Sequence, residues 1–123
     1  MFSPIYIVYY KNKFYKMHSF RDYKAVHVTI GGRTYVLYVA DDHEKRCKGL
    51  SEIPHIGKSE GMLFTYDTPV CHAYTMEKTN FPLKIMFFDE NFNPVGSFDA
   101  KARQKEEVRP MSDFKYVIEI LGK

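Results

Sequence analysis

The chain has 123 residues, of which 45% are hydrophobic and 27% charged, a composition typical of one soluble globular domain with its own core. Its net charge of +3 is smaller than the excess that marks a dedicated nucleic-acid binder. Neither a secretory leader nor an apolar stretch of membrane-spanning length is seen. We therefore expect a cytoplasmic protein with no membrane partner and with reduced thiols.

The first elements are predicted by runs of β-forming residues. Pro4 to Tyr10 and Phe14 to His18, joined by a polar turn, predict a hairpin at a sheet edge. Val26 to Ile30 alternates apolar and polar residues, and Arg33 to Val39 returns from it. Gly31-Gly32 between them tolerates the positive φ angles of a tight turn, so these two runs predict a second hairpin.

One short helix is predicted after this hairpin. Asp41 and Glu44 stand three residues apart, a spacing that favours a capping box at a helix start. The helical residues are expected at 42–48. Gly49 suits the left-handed position that ends a helix, and Leu50 is placed to pack back on its last turn.

The remainder of the chain predicts strands joined by polar turns. These strands are expected at Gly61–Tyr66, His72–Glu77, Leu83–Phe88, Val95–Ala100 and Phe114–Leu121. The sum is an α+β, mainly β fold, a compact antiparallel sheet that closes as a small barrel or sandwich with one short surface helix. No repeat or linker divides the chain, so a single domain over residues 1–123 is predicted.

Several short motifs follow one another in a fixed order. They are Val39-Ala40, Arg46 three residues before Gly49-Leu50, Glu60-Gly61-Met62-Leu63-Phe64, Met76 with Thr79, Pro82-Leu83, Phe87 with Asp89, and Tyr116 to Ile120. In this order and spacing, residues 36–122 resemble the family known as domain of unknown function 192. The resemblance implies a small β-rich domain of bacteria, archaea or phages, with residues 4–30 as an added strand or hairpin. It implies no catalytic residues, since none are established for the family.

The chain departs from the family pattern at positions that change its charge. Lys78 stands where relatives usually have Asn, and Lys84 where they usually have Asp. Two added cations suit an anionic partner. We therefore predict a non-enzymatic module that binds a small anionic ligand or a protein. Its predicted ligand-binding site combines Arg46, Met62, Met76, Lys78, Thr79 and Lys84.

Each of these residues also has a purely structural interpretation. Met62 and Met76 lie among apolar residues and are equally suited to core packing. Arg46 stands four residues after Asp42, so the two side chains are placed to form a surface ion pair on one helix face.

A second hypothesis is a small hydrolase-like enzyme. It would use Asp89, or pair one of the cysteines Cys47 and Cys71 with a neighbouring histidine such as His43 or His72. An Asp at the end of a buried strand more often caps the following turn. The histidines and cysteines show no metal-ligand spacing, so we expect no metal and no cofactor.

A third hypothesis is weak binding of single-stranded nucleic acid. From Tyr6 to Lys16 aromatic residues alternate with lysines, a pattern that suits stacking on bases and contacts with phosphates. An amphipathic edge hairpin has the same pattern, and the nearly balanced charge elsewhere favours the hairpin.

Overall fold

The structure, a computed structural model, describes residues 6–10, 20 and 22–123, the first of these ranges by its backbone alone. The elements are β1 Tyr6–Tyr10, β2 Lys24–Ile30, β3 Arg33–Ala40, α1 His43–Lys48, β4 Glu60–Val70, β5 Leu83–Phe88, β6 Pro94–Ala100 and β7 Phe114–Leu121. The strands form one seven-stranded sheet in the order β1-β2-β3-β4-β7-β5-β6. The predicted α+β, mainly β fold with one short helix is confirmed.

Among the described residues the sheet is open, because β1 and β6 stand at its two ends and do not pair with each other. It does not close into a barrel, whereas a sandwich-like arrangement is compatible with it. Both faces of the central strands are buried. One face carries the core cluster that contains Phe64, Met76 and Phe114, and the other carries a cluster with Leu63 and Ile118.

The sheet is antiparallel, as expected, at all but one of the described strand pairs. Strand β4 runs parallel to β3, with Glu60 opposite Val36. The remaining pairs between named strands are antiparallel. Parallel neighbours need a crossover connection, and α1 with the loop after it supplies this crossover.

The hairpin between β2 and β3 is confirmed. Ile30 pairs with Arg33, and the two residues between them, Gly31 and Gly32, have φ angles of 57° and 81°. Two successive positive φ angles match the right-handed twist of the flanking strands, and glycine adopts them without a steric penalty.

The start of the helix and its N-cap each lie one residue later than predicted. Asp42, rather than Asp41, is the N-cap, and its side chain accepts a hydrogen bond of 2.8 Å from the backbone N–H of Lys45. Asp41 instead pairs with Lys24 across 3.5 Å. Gly49 has a φ of 49° and ends α1 as predicted.

The predicted strand His72–Glu77 is wrong. This segment forms only an isolated bridge, in which Tyr74 and Val108 exchange backbone hydrogen bonds of 2.8 and 2.9 Å. The place beside β4 that a further strand would occupy is filled by β7, so the segment packs on the core face instead. The predicted second strand of the first hairpin, Phe14 to His18, lies outside the described residues.

Within the described ranges, no helix is both long enough and apolar enough to span a lipid bilayer.

Candidate functional site

A cavity of about 260 Å³ lies between α1, β4, β7 and the segment that follows β4. Its polar lining comes from α1, from β4 and from the segment 72–79, and one residue of β7 completes it. The main contributors are His43, Arg46, Cys47, Tyr66, His72, Tyr74, Thr79 and Glu119, with Phe64 as an apolar wall. This is the candidate site.

Arg46 is held in place without a carboxylate partner. Its Nη1 donates a hydrogen bond of 2.9 Å to the carbonyl oxygen of Thr65, and its guanidinium carbon lies 4.8 Å from the centre of the Tyr66 ring. The alternative ion pair with Asp42 does not form, because Asp42 caps α1 and pairs with Lys45 at 3.0 Å. Within residues 22–123, Arg46 forms no salt bridge, so its charge is available to a ligand.

Three side chains next to Arg46 form a chain of hydrogen bonds. The hydroxyl of Tyr66 lies 2.7 Å from the hydroxyl of Tyr74 and 3.0 Å from Nε2 of His72. Burial raises the pKa of both tyrosines above their usual range. Partial desolvation, with the nearby charges of Arg109 and Arg46, lowers the pKa of His72. All three groups are therefore neutral at pH 7 and act as hydrogen-bonding groups.

Glu119 lies in the middle of the sheet and is 4% exposed. It stands on β7 between Met62 of β4 and Ile85 of β5. No side-chain nitrogen or oxygen in the described residues is both sealed from solvent and without a hydrogen-bond partner. Because Glu119 forms no side-chain hydrogen bond there, its carboxyl oxygens must open onto the cavity that it lines. Burial raises the pKa of this carboxyl to about 8.

The residues Glu60-Gly61 bring the strands of the site together. Glu60 is 5% exposed, and its two carboxylate oxygens accept hydrogen bonds from the Tyr38 hydroxyl at 2.8 Å and from the backbone N–H of Gly57 at 2.9 Å. A Cβ on Gly61 would collide with the carbonyl oxygen of Glu119. Glycine at this position therefore lets β4 approach the part of β7 that carries Glu119.

The predicted site residues divide into three groups, of which two lie at or beneath the cavity. Arg46 and Thr79 line the cavity. Met62 and Met76 are fully buried in the core cluster beneath it, as their structural interpretation requires.

The two lysines lie elsewhere. Lys78 is exposed, and its Nζ lies 3.8 Å from a carboxylate oxygen of Glu52. Lys84 is exposed on β5 and borders a second cavity with Asp99 and Lys101. The structure therefore does not bring either lysine to the cavity of Arg46.

The residues of the hydrolase hypothesis also divide into two groups, since Asp89 caps a turn whereas Cys47 and His43 lie together at the cavity. Oδ1 of Asp89 accepts hydrogen bonds of 2.9 Å from the backbone N–H groups of Asn91 and Asn93, which confirms its role as a turn cap. Cys47 Sγ lies 3.4 Å from Nε2 of His43, and both residues line the cavity. Both cysteines, Cys47 and Cys71, are free.

Sequence reasoning missed three polar residues of this cavity, of which Glu119 is the most informative. The alternation in β7 placed Glu119 on the polar side of a half-buried strand. The signal against this was Val117, an apolar residue on the same side, which is fully buried. The other two, Tyr66 and Tyr74, lie outside the motifs that carry the family resemblance, whereas His72 was considered only as the partner of a cysteine.

Comparisons with known proteins agree with this fold. A structure of a protein of unknown function from Novosphingobium aromaticivorans is 25% identical, with a TM-score of 0.69 over 80% of this chain and 72% of that chain. A putative transcription regulator from Sinorhizobium meliloti is 24% identical, with a TM-score of 0.66 over 78% of this chain and 77% of that chain, and this likeness shows the fold. No curated protein matches the chain.

The family DUF192, described as "Uncharacterized ACR", matches residues 26–123. The match begins in β2, ten residues before the predicted start at residue 36, because it includes the first strand of the hairpin between β2 and β3. It therefore covers every motif by which the sequence resembled this family, and all residues of the cavity. The chain belongs to the DUF192 family of uncharacterised proteins.

Proposed function

We propose that this protein binds a small organic anion in the cavity between α1, β4 and β7, with Arg46 as the anion-binding group. One observation carries the proposal. Arg46 is oriented by Thr65 and Tyr66 but has no ion-pair partner among the described residues. A guanidinium offers paired N–H donors that match a carboxylate or phosphate, and one already held in place loses less side-chain entropy on binding.

The charge around Arg46 supports an anionic ligand. Glu119 is the one carboxyl group that lines this cavity in the described part of the chain, and burial keeps it mostly protonated at pH 7. It therefore does not neutralise the guanidinium. Tyr66, Tyr74 and His72 are neutral, so the positive charge of Arg46 acts in a cavity without an opposing charge.

The size and walls of the cavity support an organic ligand. Its volume of about 260 Å³ is below the range of about 300–1,000 Å³ that is usual for drug-sized ligands. The walls include Phe64 and the rings of Tyr66 and Tyr74. A compact molecule with an apolar part and one anionic group suits these walls better than inorganic phosphate does.

Calorimetric titration with small carboxylates and phosphates tests this proposal. Arg46→Gln should weaken the tightest anion at least tenfold, because the variant loses the charge and the paired donors of the guanidinium. The matched control is the double variant Lys78→Ala/Lys84→Ala, which removes two cations outside the cavity and should bind like the wild type. Equal affinities for wild type and Arg46→Gln, at equal thermal stability, would contradict the proposal.

A second candidate function is thiol-dependent ester hydrolysis, favoured by the 3.4 Å separation of Cys47 Sγ and His43 Nε2 at the cavity. His43 would take the thiol proton while sulfur attacks the ester carbonyl carbon, the alcohol would leave with a proton, and water would release the acid. With p-nitrophenyl acetate as probe, Cys47→Ser should abolish the activity and Cys71→Ser should keep it. Equal rates for both variants and the wild type would exclude this function.

A further inference from the structure

Glu119 has no structural partner among the described residues. The carboxyl is almost completely buried, lies between the side chains of Met62 and Ile85, and forms no side-chain hydrogen bond there. Its oxygens reach water only through the cavity, and a carboxyl group that loses most of its hydration without gaining a hydrogen bond from the protein costs stability. Met or Leu at this position would pack between the same neighbours without that cost. The position is therefore better explained by a ligand than by the fold.

Glu60 shows what a structural buried glutamate looks like in this protein. It is buried to the same degree as Glu119, but each of its carboxylate oxygens accepts a hydrogen bond from another part of the chain. Those bonds join β3, β4 and the turn before β4. Glu119 lacks such bonds, and its oxygens face the cavity instead.

Glu119 and Arg46 line the same cavity, and no ion pair joins them. Each of them influences the pKa of both Tyr66 and Tyr74, so the pair of tyrosine hydroxyls lies within electrostatic range of both. Burial raises the pKa of Glu119, and within the described ranges no nitrogen of Arg46 lies within ion-pair distance of its carboxyl oxygens. The cavity therefore offers a ligand two different groups, the cationic guanidinium of Arg46 and the neutral carboxylic acid of Glu119.

We propose that Glu119 determines ligand specificity by donating a hydrogen bond from its protonated carboxyl group to an uncharged oxygen of the ligand. This inference rests on the proposed function, in which Arg46 holds the anionic group. A ligand that satisfies both residues carries a carboxylate and a second oxygen acceptor, as small oxo acids and hydroxy acids do. An amino acid presents an ammonium group at that place, and Glu119 would have to lose its proton to bind it.

The other charged and titratable groups around the cavity come from two elements and one segment. Helix α1 contributes His43, Arg46, Cys47 and Lys48, and Tyr66 comes from β4. His72 and Tyr74 come from the segment after β4. The pKa of His72 is lowered and those of the tyrosines are raised, so between pH 7 and pH 9 these three keep one charge state. A Cys47→Ser background removes the thiol from the comparison.

The test compares 4-methyl-2-oxopentanoate with leucine, two acids of the same carbon skeleton that differ in an oxo group and an ammonium group. Affinities are measured by calorimetry at pH 7.0 and pH 9.0. The oxo acid should bind more tightly at pH 7.0 and lose about tenfold in affinity at pH 9.0, because a carboxyl with a pKa of about 8 is then mostly ionised.

Two variants separate a hydrogen-bond donor from a merely structural residue. Glu119→Gln keeps a donor that does not titrate, so it should bind the oxo acid with no loss between pH 7.0 and pH 9.0. Glu119→Leu keeps the packing between Met62 and Ile85 but has no donor, so it should bind the oxo acid at least tenfold more weakly at pH 7.0.

Two results would overturn the assignment of Glu119. Leucine could bind more tightly than the oxo acid and strengthen as pH rises, as an ionised Glu119 paired with ammonium requires. Alternatively, the oxo acid could bind in an Arg46-dependent way with the same affinity and pH profile in all Glu119 variants, which would leave the proposed function intact. Absence of Arg46-dependent binding of any anion would overturn both proposals.

Discussion

At the scale of single residues, the two buried glutamates of the sheet differ in their hydrogen bonding. Glu60 is satisfied by Tyr38 and Gly57 and fixes the start of β4. Glu119 is satisfied by neither backbone nor side chain in the described residues and faces a cavity. Burial is almost equal in the two cases, so hydrogen bonding, not burial, distinguishes the structural acid from the candidate ligand-binding acid.

The buried carboxyl of Glu119 should make stability depend on pH. Its pKa is about 8 in the folded protein against an ordinary value of 4.5, so the folded state holds a proton that the unfolded state releases between these values. The free energy of unfolding should therefore fall as pH rises through this window, by about 1.4 kcal/mol per pH unit from this group.

The measurement is urea unfolding of wild type and Glu119→Gln at a series of pH values. The stability of the wild type relative to the variant should be greatest below pH 4.5, should decline up to about pH 8 and should then stay constant. The lowered pKa of His72 has the opposite effect, because stability is lost as pH falls through this pKa. Both proteins carry His72, so its contribution cancels when their free energies of unfolding are subtracted. A difference independent of pH would contradict the assignment.

Sequence patterns identified the site residues only where a motif carried them. Arg46 and Thr79 belong to motifs of the family, and both line the cavity. Lys78 and Lys84 were selected for their charge, but charge alone does not say which face of the sheet a residue occupies. Glu119 was overlooked because alternation in a strand predicts an exposed polar face, and a sheet covered on both sides has none at its centre.

At the scale of elements, α1 is a six-residue helix that cannot be stable on its own. Its ends are fixed instead by local contacts. The N-cap Asp42 binds the backbone N–H of Lys45, and the backbone N–H of Gly49 bonds to the carbonyl oxygen of Lys45. These contacts determine where Arg46 lies, since it stands between the two caps.

Asp42→Ala should destabilise the protein and weaken anion binding, because the first turn of α1 loses its cap. Asp41→Ala is the matched control. Asp41 makes only an exposed ion pair with Lys24, which contributes little. Differential scanning calorimetry should show a midpoint lowered by a few degrees for Asp42→Ala and unchanged for Asp41→Ala. The reverse order would support Asp41 as the cap.

The sequence predicted the ends of a strand correctly where the residues of that strand alone determine them. Leu83–Phe88 is apolar except for Lys84, and Phe114–Leu121 is largely an alternating run. Both strands have the predicted limits. The parallel pairing of β3 with β4 depends on where the crossover returns, which no residue pattern in the crossover specifies. The segment 72–77 has the composition of a strand, but its backbone finds a neighbour only at Tyr74.

At the scale of the whole molecule, the last strand in the chain, β7, lies inside the sheet rather than at its edge. Its backbone pairs with β4 on one side and with β5 on the other, whereas β6 pairs only with β5. Both core clusters contain residues of β7, namely Val117 in one and Ile118 in the other. This strand therefore connects the two halves of the sheet and the two cores.

Amide hydrogen exchange should reflect this topology. Amides along β7 are bonded on both sides of the strand, so they should exchange only through global unfolding and should be the slowest in the protein. In β6, alternate amides face away from β5 and should exchange much faster, while the intervening amides are protected. Uniform protection of β6 and β7, measured by nuclear magnetic resonance, would contradict the pairing described for this edge.

The place of β7 between β4 and β5 also constrains the order of events during synthesis on the ribosome. β4 and β5 are synthesised before β7, but they do not pair with each other in the sheet. Their shared neighbour β7 is complete only about 50 residues after β4 ends and about 30 residues after β5 ends. The hairpin of β5 and β6 can form early, but it has no place to dock until Phe114–Leu121 is released. Glu119 arrives with β7, so the cavity is incomplete until that strand has emerged, and a ligand bound as proposed would stabilise the chain only after that point.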